Sequence, residues 1–246
     1  MPTDRIYGVH PVREALQSEA KLERVLFRQG MEGPVFKEIL DLAQAKGVSV
    51  QFVPQEKLNH LVKGETHQGM VAILAQIDYV DLEEAINGVL AGSAHPLVVL
   101  LDGVSDVRNF GAIARTCECA GVGALIVPAK GGAAVNQDAI KTSAGALLRL
   151  PTCKVPNLRT ALYYLKEQGF AVVGATEKAT ESLYSYAFEG PTALVMGAEG
   201  QGISASVRAL CDAELSIPML GSIGSLNVSA ATAIVLYEIV RQRINK

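Results

Sequence analysis

The spacing of apolar and polar residues predicts a small α/β region at the start of the chain. In residues 1–78, amphipathic helical patterns alternate with short strand-like runs. Helices are predicted in "HPVREALQ", "VFKEILDLAQAK" and "QEKLNHL", and strands in "LERVLF", "VSVQFV" and "GMVAILAQI". The next stretch, residues 79–96, is first acidic, then rich in small residues, and ends in proline. We expect it to be a linker that carries a short helix, "DLEEAINGVL".

From residue 97 to residue 246 the strand-like runs are shorter and more uniformly apolar. The runs are "LVVLL", "ALIVP", "AVVGA", "TALVMG" and "AELSIP", and helical patterns lie between them at residues 109–120, 136–147, 158–168, 204–210 and 228–243. Uniformly apolar strands are typical of a parallel sheet that is covered on both faces. The pattern predicts a doubly wound α/β domain, in which ligands bind beyond the carboxyl ends of the strands.

Charge and composition narrow the classes of function. The chain has a formal net charge of -3, which argues against a broad basic surface for nucleic acid. One segment, residues 130–159, is nevertheless basic, with five cations against a single anion, Asp138. Its cations are Lys130, Lys141, Arg149, Lys154 and Arg159. This segment is either a solvated face or a surface that contacts phosphates.

Further features of the sequence predict a cytoplasmic protein without a metal site. No run approaches the roughly 18 apolar residues of a membrane span, and the start, "MPTDRIYGVH", does not resemble a signal peptide. The four cysteines are expected to be small buried apolar residues, and the four histidines to be surface or capping residues. The cysteines are Cys117, Cys119, Cys153 and Cys211.

Three of the predicted strands are followed by loops rich in glycine and polar residues. The loops are "DGVSDVRNFGAIARTCECAG", "GAEGQGIS" and "MLGSIGSLNVS". None contains the G-x-G-x-x-G fingerprint of a dinucleotide site or a phosphate-binding P-loop. The glycines can instead allow the main chain to approach a flat ligand closely. An adenosine held by main-chain groups and by Ile217, Met219 and Leu226 fits this description.

The polar residues in these loops have both structural and functional interpretations. Asn109 is expected to be the N-cap of a helix. Arg115 interrupts a helix of small and apolar residues, so it needs an anionic partner, either an internal carboxylate or a bound phosphate. Glu199 either caps the next helix or accepts hydrogen bonds in a site, and the same alternatives apply to the polar groups of "SLNVS" at residues 225–229.

Read together, the loops resemble a known family. "NFGAIARTCECAGV", "LVMGAEGQGIS" and "IPMLGSIGSLNVSAATAI" resemble, in this order, motifs 1, 2 and 3 of the SpoU (TrmH-type) ribose 2′-O-methyltransferases of the SPOUT class. This resemblance covers residues 97–243. "IYGVHPVREAL" and "HQGMVAIL" resemble the L30e-like amino-terminal RNA-binding domain of the branch that methylates a guanosine of 23S rRNA.

The resemblance implies a homodimeric enzyme with a carboxy-terminal trefoil knot, S-adenosylmethionine as methyl donor, RNA as substrate and no metal. By motif, the implied catalytic residues are Asn109, Arg115, Glu199, Ser225 and Asn227, and the implied donor-binding residues are Gly197, Ile217, Met219 and Leu226. The family usually has proline where this chain has Val107. Alternatives are a tRNA or resistance-type rRNA methyltransferase of the same family, and a catalytically silent RNA-binding dimer.

Overall fold

The first unit of the chain is built on a four-stranded mixed sheet. The computed structural model describes residues 5–244, and the chain divides into two compact units between residues 78 and 79. The elements of the first unit are β1 (Arg5–Tyr7), α1 (Val9–Gln17), β2 (Leu22–Arg28), α2 (Pro34–Ala45), β3 (Ser49–Val53), α3 (Gln55–Leu61) and β4 (Met70–Leu74). The strand order is β1-β4-β2-β3, in which β4 is antiparallel to both β1 and β2, and β2 is parallel to β3.

Both faces of this sheet are covered by helices. On one face, Val12 of α1 and Ile39 of α2 pack with Phe27 of β2. On the other face, Leu58 of α3 packs with Leu26 of β2. Successive residues of β2 therefore enter different cores, as the two-residue period of a strand requires. The predicted small α/β domain is confirmed, and β1 is an addition that was too short to show a periodic pattern.

The second unit contains a seven-stranded sheet in which all strands are parallel. Its strands are β5 (Leu97–Asp102), β6 (Ala124–Pro128), β7 (Thr152–Val155), β8 (Ala171–Ala175), β9 (Glu181–Ser182), β10 (Thr192–Gly197) and β11 (Ala213–Ser216). Its α-helices are α4 (Leu82–Gly92), α5 (Val107–Cys119), α6 (Gln137–Thr142), α7 (Leu158–Glu167), α8 (Ala205–Arg208) and α9 (Val228–Ile244). The order across the sheet is β7-β6-β5-β10-β8-β11-β9.

Helices cover both faces of the parallel sheet. Val98 and Leu100 of β5 belong to a core with α4, α7 and α8, whereas the alternate residues Val99 and Leu101 are buried on the opposite face. The predicted doubly wound α/β domain is confirmed. The chain leaves β5 in one direction for β6 and β7, and β10 later returns to pair with the other edge of β5. The carboxyl ends of β5 and β10 therefore mark a switch point of the topology, where ligands bind in such sheets.

Two segments differ from their sequence-based prediction. The expected linker, residues 79–96, contains the predicted helix as α4, but Ile86 and Val89 of α4 are buried in the core of the second unit. The segment thus packs as part of that unit. The helix expected over residues 136–147 is divided into α6 and a short 3-10 turn, because Ala144 and Gly145 adopt positive φ angles of 50° and 82°.

Within residues 5–244, no helix is long and apolar enough to cross a membrane, and no cluster of side chains suits a metal ion. Cys117 and Cys153 are buried as expected, whereas Cys211 is half-buried and Cys119 is exposed. His67 is buried but fits the capping alternative, because its Nδ1 accepts a hydrogen bond from the amide of Gly69 and its Nε2 lies 2.8 Å from Oδ1 of Asn59.

Candidate active site

The helix that follows β5 places Asn109 in its first turn. The side chain of Asp106 accepts hydrogen bonds from the amides of Arg108 and Asn109, at 2.9 and 2.8 Å, so Asp106 is the N-cap of α5. The prediction that Asn109 is the cap was wrong. Asn109 is the third residue of the helix, so its side chain is not used for capping.

Glu199 lies on a tight turn that follows β10, residues 198–204, which we call the glutamate loop. Ala198 and Gly202 exchange two backbone hydrogen bonds of 3.2 and 2.8 Å, and Glu199 lies between them. The carboxylate of Asp102, at the end of β5, accepts a 2.7 Å hydrogen bond from the amide of Ser204 and fixes the far end of the loop. The loop therefore holds its shape through the protein's own hydrogen bonds.

The close turn also explains the glycine at the end of β10. A Cβ atom on Gly197 would lie 2.1 Å from the carbonyl carbon of Gly202 and 2.3 Å from the amide nitrogen of Ile203. Both neighbours are backbone atoms and cannot move independently. Any side chain at position 197 would therefore force the glutamate loop away from the strand end.

Asn227 joins the three loops at the start of α9. Its Oδ1 accepts hydrogen bonds from the amide and the hydroxyl of Ser229, at 3.0 and 2.6 Å, so it caps the helix, as the sequence allowed. Its Nδ2 donates to Oδ1 of Asn109 at 2.9 Å and to Oε1 of Glu199 at 2.5 Å. The carboxylate of Glu199 also accepts from the amide of Val228 at 3.3 Å, at the positive end of the α9 dipole.

These contacts fix the orientation of the Asn227 amide. An amide group has an acceptor side and a donor side, and a carboxylate can only accept. Because Nδ2 faces Glu199 and Oδ1 faces the helix, reversing the amide would place two acceptors against each other. Asn109, Glu199 and Asn227, taken from three distant parts of the sequence, thus form one hydrogen-bonded group, which we call the polar triad.

A cavity of about 320 Å³ opens beside the polar triad. It lies at the carboxyl ends of β8, β10 and β11, where the domain type predicts a ligand. Glu199 and Asn227 of the triad contribute to its wall. The predicted donor-binding residues that line it are Gly197, Ile217, Met219 and Leu226, together with the predicted catalytic residue Ser225.

Arg115 does not join this group. Its side chain is exposed, and within residues 5–244 it has no hydrogen bond or ion pair. Arg115 and Asn109 are six residues apart on α5, which is about 120° short of two full turns, so the two side chains leave the helix in different directions. The internal carboxylate considered as a partner for Arg115 is thus absent from the described residues, and the guanidinium is free to contact a ligand.

The sequence did not identify every residue of the site. Thr176 and Glu177 follow β8 directly and line the cavity, yet neither was among the candidates. Their signal was the position after the apolar run "AVVGA", since polar residues at the end of a buried strand point toward a ligand site. Asp102 and Asp106, which position the loop and the helix around the site, were also missed.

Sequence profiles of two families match the two units of the chain. The profile of the SpoU rRNA Methylase family matches residues 96–237, and the profile described as RNA 2′-O ribose methyltransferase substrate binding matches residues 5–80. The chain is 40% identical over 244 residues to the 23S rRNA (guanosine-2′-O-)-methyltransferase RlmB of Haemophilus influenzae, which covers 98% of this chain and 99% of that protein. It is 38% identical to RlmB of Vibrio parahaemolyticus, over 99% of each chain.

A solved structure agrees with these matches. The SpoU methyltransferase AviRb from Streptomyces viridochromogenes, in complex with the cofactor AdoMet, superposes with a TM-score of 0.62 at 25% sequence identity. The superposition covers 98% of this chain and 91% of AviRb. The fold, the three converging motifs and the family profiles lead to one assignment: the chain belongs to the SpoU rRNA Methylase family.

Proposed function

We propose that this protein methylates the 2′-hydroxyl of a ribose in RNA, with S-adenosylmethionine as methyl donor and a guanosine of 23S rRNA as target. The observation that carries this proposal is the polar triad, which joins groups from all three motifs and contributes two of them, Glu199 and Asn227, to the wall of one cavity. The rRNA target is supported by two relatives named RlmB, which match nearly the whole chain, including the substrate-binding unit.

The cavity suits the proposed methyl donor. Ile217, Met219 and Leu226 supply an apolar wall for the adenine, and Gly197, whose missing side chain leaves room for the glutamate loop, contributes main chain to the lining. Among the described residues that line the cavity, the side chains of the acidic and basic types are two carboxylates, from Glu177 and Glu199. This negative surface complements a ligand that carries a sulfonium and an ammonium group. When bound, S-adenosylmethionine supplies an electrophilic methyl group.

The residues around the cavity have positioning and electrostatic tasks. In-line attack by the ribose hydroxyl requires the acceptor oxygen to be held along the axis of the bond that breaks. In this proposal the polar triad holds the ribose edge, since Asn109 and Asn227 are fixed by each other and by Glu199. Ser225, which lines the cavity next to Leu226, orients either the ribose or the donor.

Arg115 has a different task. A guanidinium stays protonated and has no acceptor atom, so Arg115 is a poor general base. In our proposal it binds the phosphate next to the target ribose and stabilises the developing alkoxide, while the proton leaves to solvent or to another group. Its exposure and its freedom from protein partners among residues 5–244 suit this task.

The Arg115→Lys substitution tests that task. Lysine keeps the charge but loses the planar fork that binds phosphate through two parallel hydrogen bonds. We expect turnover to fall by about tenfold or more at every pH, because the substitution removes the geometry of the phosphate contact and leaves the positive charge in place. The check is the initial rate of methyl transfer across a pH series. Nearly full turnover across the series would contradict the proposed phosphate contact.

A homodimer is part of the proposal. Several large apolar side chains of the second unit are exposed in the single chain, including Leu220 at 100%, Ile223 at 77% and Leu148 at 63%. Exposed apolar groups of this size are typical of surfaces that a partner covers. A second copy of the chain is the expected partner. The family resemblance also implies a carboxy-terminal trefoil knot and a cytoplasmic location, and both belong to this proposal.

The experiment that tests the function is transfer of labelled methyl from S-adenosylmethionine to unmodified rRNA and tRNA, followed by partial alkaline hydrolysis. A 2′-O-methyl group blocks cleavage at its own nucleotide, so it leaves one gap in the ladder. We expect label on 23S rRNA with a gap at a guanosine. Label on tRNA alone would favour the tRNA enzyme, label on a base without a gap would exclude ribose methylation, and no label on either RNA would favour the silent dimer.

A further inference from the structure

Glu177 occupies an unassigned position in the cavity wall. It directly follows Thr176 at the carboxyl end of β8, and both residues line the cavity. The carboxylate of Glu177 is exposed, and within residues 5–244 it makes no hydrogen bond or ion pair. The nearby cation Arg208 is already bound to Glu214, with 2.7 and 2.8 Å between its Nε and the two carboxylate oxygens. Glu177 is thus a charged group that is available to a ligand.

The backbone around Glu177 is fixed before any ligand binds. The amide of Thr176 donates to the carbonyl of Leu215 at 2.9 Å, which extends the pairing of β8 with β11 by one residue. The hydroxyl of Thr176 accepts from the amide of Lys178, and its carbonyl accepts from the amide of Ala179, both at 3.3 Å. These bonds form a turn that places Glu177 at its corner.

The order of the strands determines which part of the donor faces this turn. β8 lies between β10 and β11, so the end of β8 lies between the polar triad, which includes Glu199 after β10, and the apolar wall at Ile217 after β11. Two strand spacings separate those outer positions, about 10 Å. In S-adenosylmethionine the ribose likewise lies between the adenine and the sulfonium. With the adenine at the apolar wall and the methyl group at the triad, the ribose lies opposite Glu177.

We infer that the carboxylate of Glu177 binds the two hydroxyls of the donor's ribose. A carboxylate has two acceptor oxygens and suits a pair of neighbouring hydroxyl donors, as in dinucleotide sites where an acidic residue binds the ribose. This inference rests on the proposed function, because it uses the direction in which the donor lies. It makes Glu177 a donor-binding residue that contacts the part of the donor that does not react.

Binding titrations of three ligands to the full chain test this contact. The ligands are S-adenosylhomocysteine, its analogue without both ribose hydroxyls, and methylthioadenosine, which keeps the ribose but lacks the amino acid. We expect Glu177→Ala to raise the dissociation constants of S-adenosylhomocysteine and methylthioadenosine by about tenfold each. The dissociation constant of the analogue without hydroxyls should rise by less than about twofold. Glu177→Gln keeps an acceptor oxygen and should lose less. Lys178→Ala, on the same turn, is the control and should bind all three ligands as the wild type does.

Three outcomes would overturn the inference. Equally weaker binding of all three ligands would mean that the substitution acts by disturbing the turn that carries Glu177. Weakening of S-adenosylhomocysteine without weakening of methylthioadenosine would place the carboxylate at the amino acid. Unchanged binding by Glu177→Ala, with normal binding by the wild type, would remove Glu177 from the site and leave the proposed function intact. A wild type that binds none of the three ligands would contradict the proposed function as well.

Discussion

Two loops form opposite walls of the candidate site, and they are stabilised in different ways. The glutamate loop is closed by two backbone hydrogen bonds and tied to β5 by Asp102. The second loop, residues 217–226, which we call the C-terminal loop, has no hydrogen bond within the described part of the chain. Its apolar side chains Leu220 and Ile223 are largely exposed. The first wall is shaped by the protein, whereas the second depends on what binds to it.

The glycines of the two loops show the same difference. Gly197, at the base of the glutamate loop, has backbone atoms at 2.1 and 2.3 Å from where a Cβ would lie. Gly221 and Gly224 of the C-terminal loop have no atom within 4 Å of that position. The glycine at the base of the glutamate loop is therefore required by the space available, whereas the glycines of the C-terminal loop have room for a side chain.

The largest expected effect comes from separating the two tasks of Asn227, which caps α9 and joins the C-terminal side of the cavity to the glutamate loop. Asn227→Ser keeps a good N-cap but removes the donations to Asn109 and Glu199. We expect methyl transfer to fall by about 100-fold or more, since an oriented donor group is lost, while the free energy of unfolding changes by less than about 0.5 kcal/mol. Transfer rates and urea unfolding measure the two effects.

Asn227→Ala is the matched variant for this test. It removes both the donations and the cap, so it should lose the same activity and a further ~1 kcal/mol of stability. If Asn227→Ser kept activity within tenfold of the wild type, the polar triad would not be part of the catalytic site. The contacts that Asn227 makes with the glutamate loop would then not be needed for methyl transfer.

A smaller effect is expected from adding one methyl group at the base of the glutamate loop and one within the C-terminal loop. Gly197→Ala forces the glutamate loop from its position, which should cost about 1–3 kcal/mol of unfolding free energy. It should also weaken the binding of S-adenosylhomocysteine by roughly tenfold or more, because the cavity wall moves. Gly221→Ala meets no atom and should change neither quantity measurably. Equal effects of the two variants in unfolding and binding titrations would remove the distinction between the loops.

The smallest expected effect concerns an ion pair between the elements next to the two loops. Arg208 of α8, after the glutamate loop, binds Glu214 of β11, before the C-terminal loop. The hydrogen bond from Arg208 lowers the pKa of Glu214, although burial opposes this shift. The pair therefore stabilises the folded state at pH values above the ordinary pKa of glutamate, and this contribution is lost as the pH falls through the lowered pKa.

Glu214→Gln tests this pH dependence. The variant should be slightly less stable than the wild type at pH 7, and the difference should shrink as the pH falls below about 4.5. Thermal unfolding between pH 3 and pH 7 measures it. A difference that stayed constant across this range would show that the charge of Glu214 does not contribute. Gln168, at the end of α7, offers no carboxylate, so substituting it with Ala provides a control without a titrating group.

Sequence periodicity was sufficient for the large elements and insufficient for their edges. The apolar strands β5, β6, β8 and β10 were predicted because they are buried on both faces. The edge strands β7 and β9 were not predicted, because β9 has only two residues and β7, "TCKV", alternates polar with apolar residues instead of being uniformly apolar. The expected linker has the composition of a connection, and only the tertiary packing of α4 places it in a core.

Part of the candidate site could be predicted from the sequence, and its geometry could not. Sequence resemblance grouped Asn109, Glu199 and Asn227, and the structure brings these three together. Asn109 was predicted to be the helix cap, but the cap is Asp106, a residue type that caps equally well and lies three positions earlier. Glu177 was missed because no motif contains it, and its position becomes informative only when the strand order is known.

Hydrogen exchange of the two loops tests the central claim, that the donor lies between a preformed wall and a wall that it orders. In the free protein, the hydrogen-bonded amides of Ala198, Gly202 and Ser204 should exchange slowly, and the amides of residues 217–226, which have no hydrogen bond in the described part of the chain, should exchange rapidly. Saturating S-adenosylhomocysteine should slow the C-terminal loop and leave the glutamate loop nearly unchanged. Exchange in residues 217–226 that is equally rapid with and without this ligand would contradict the account.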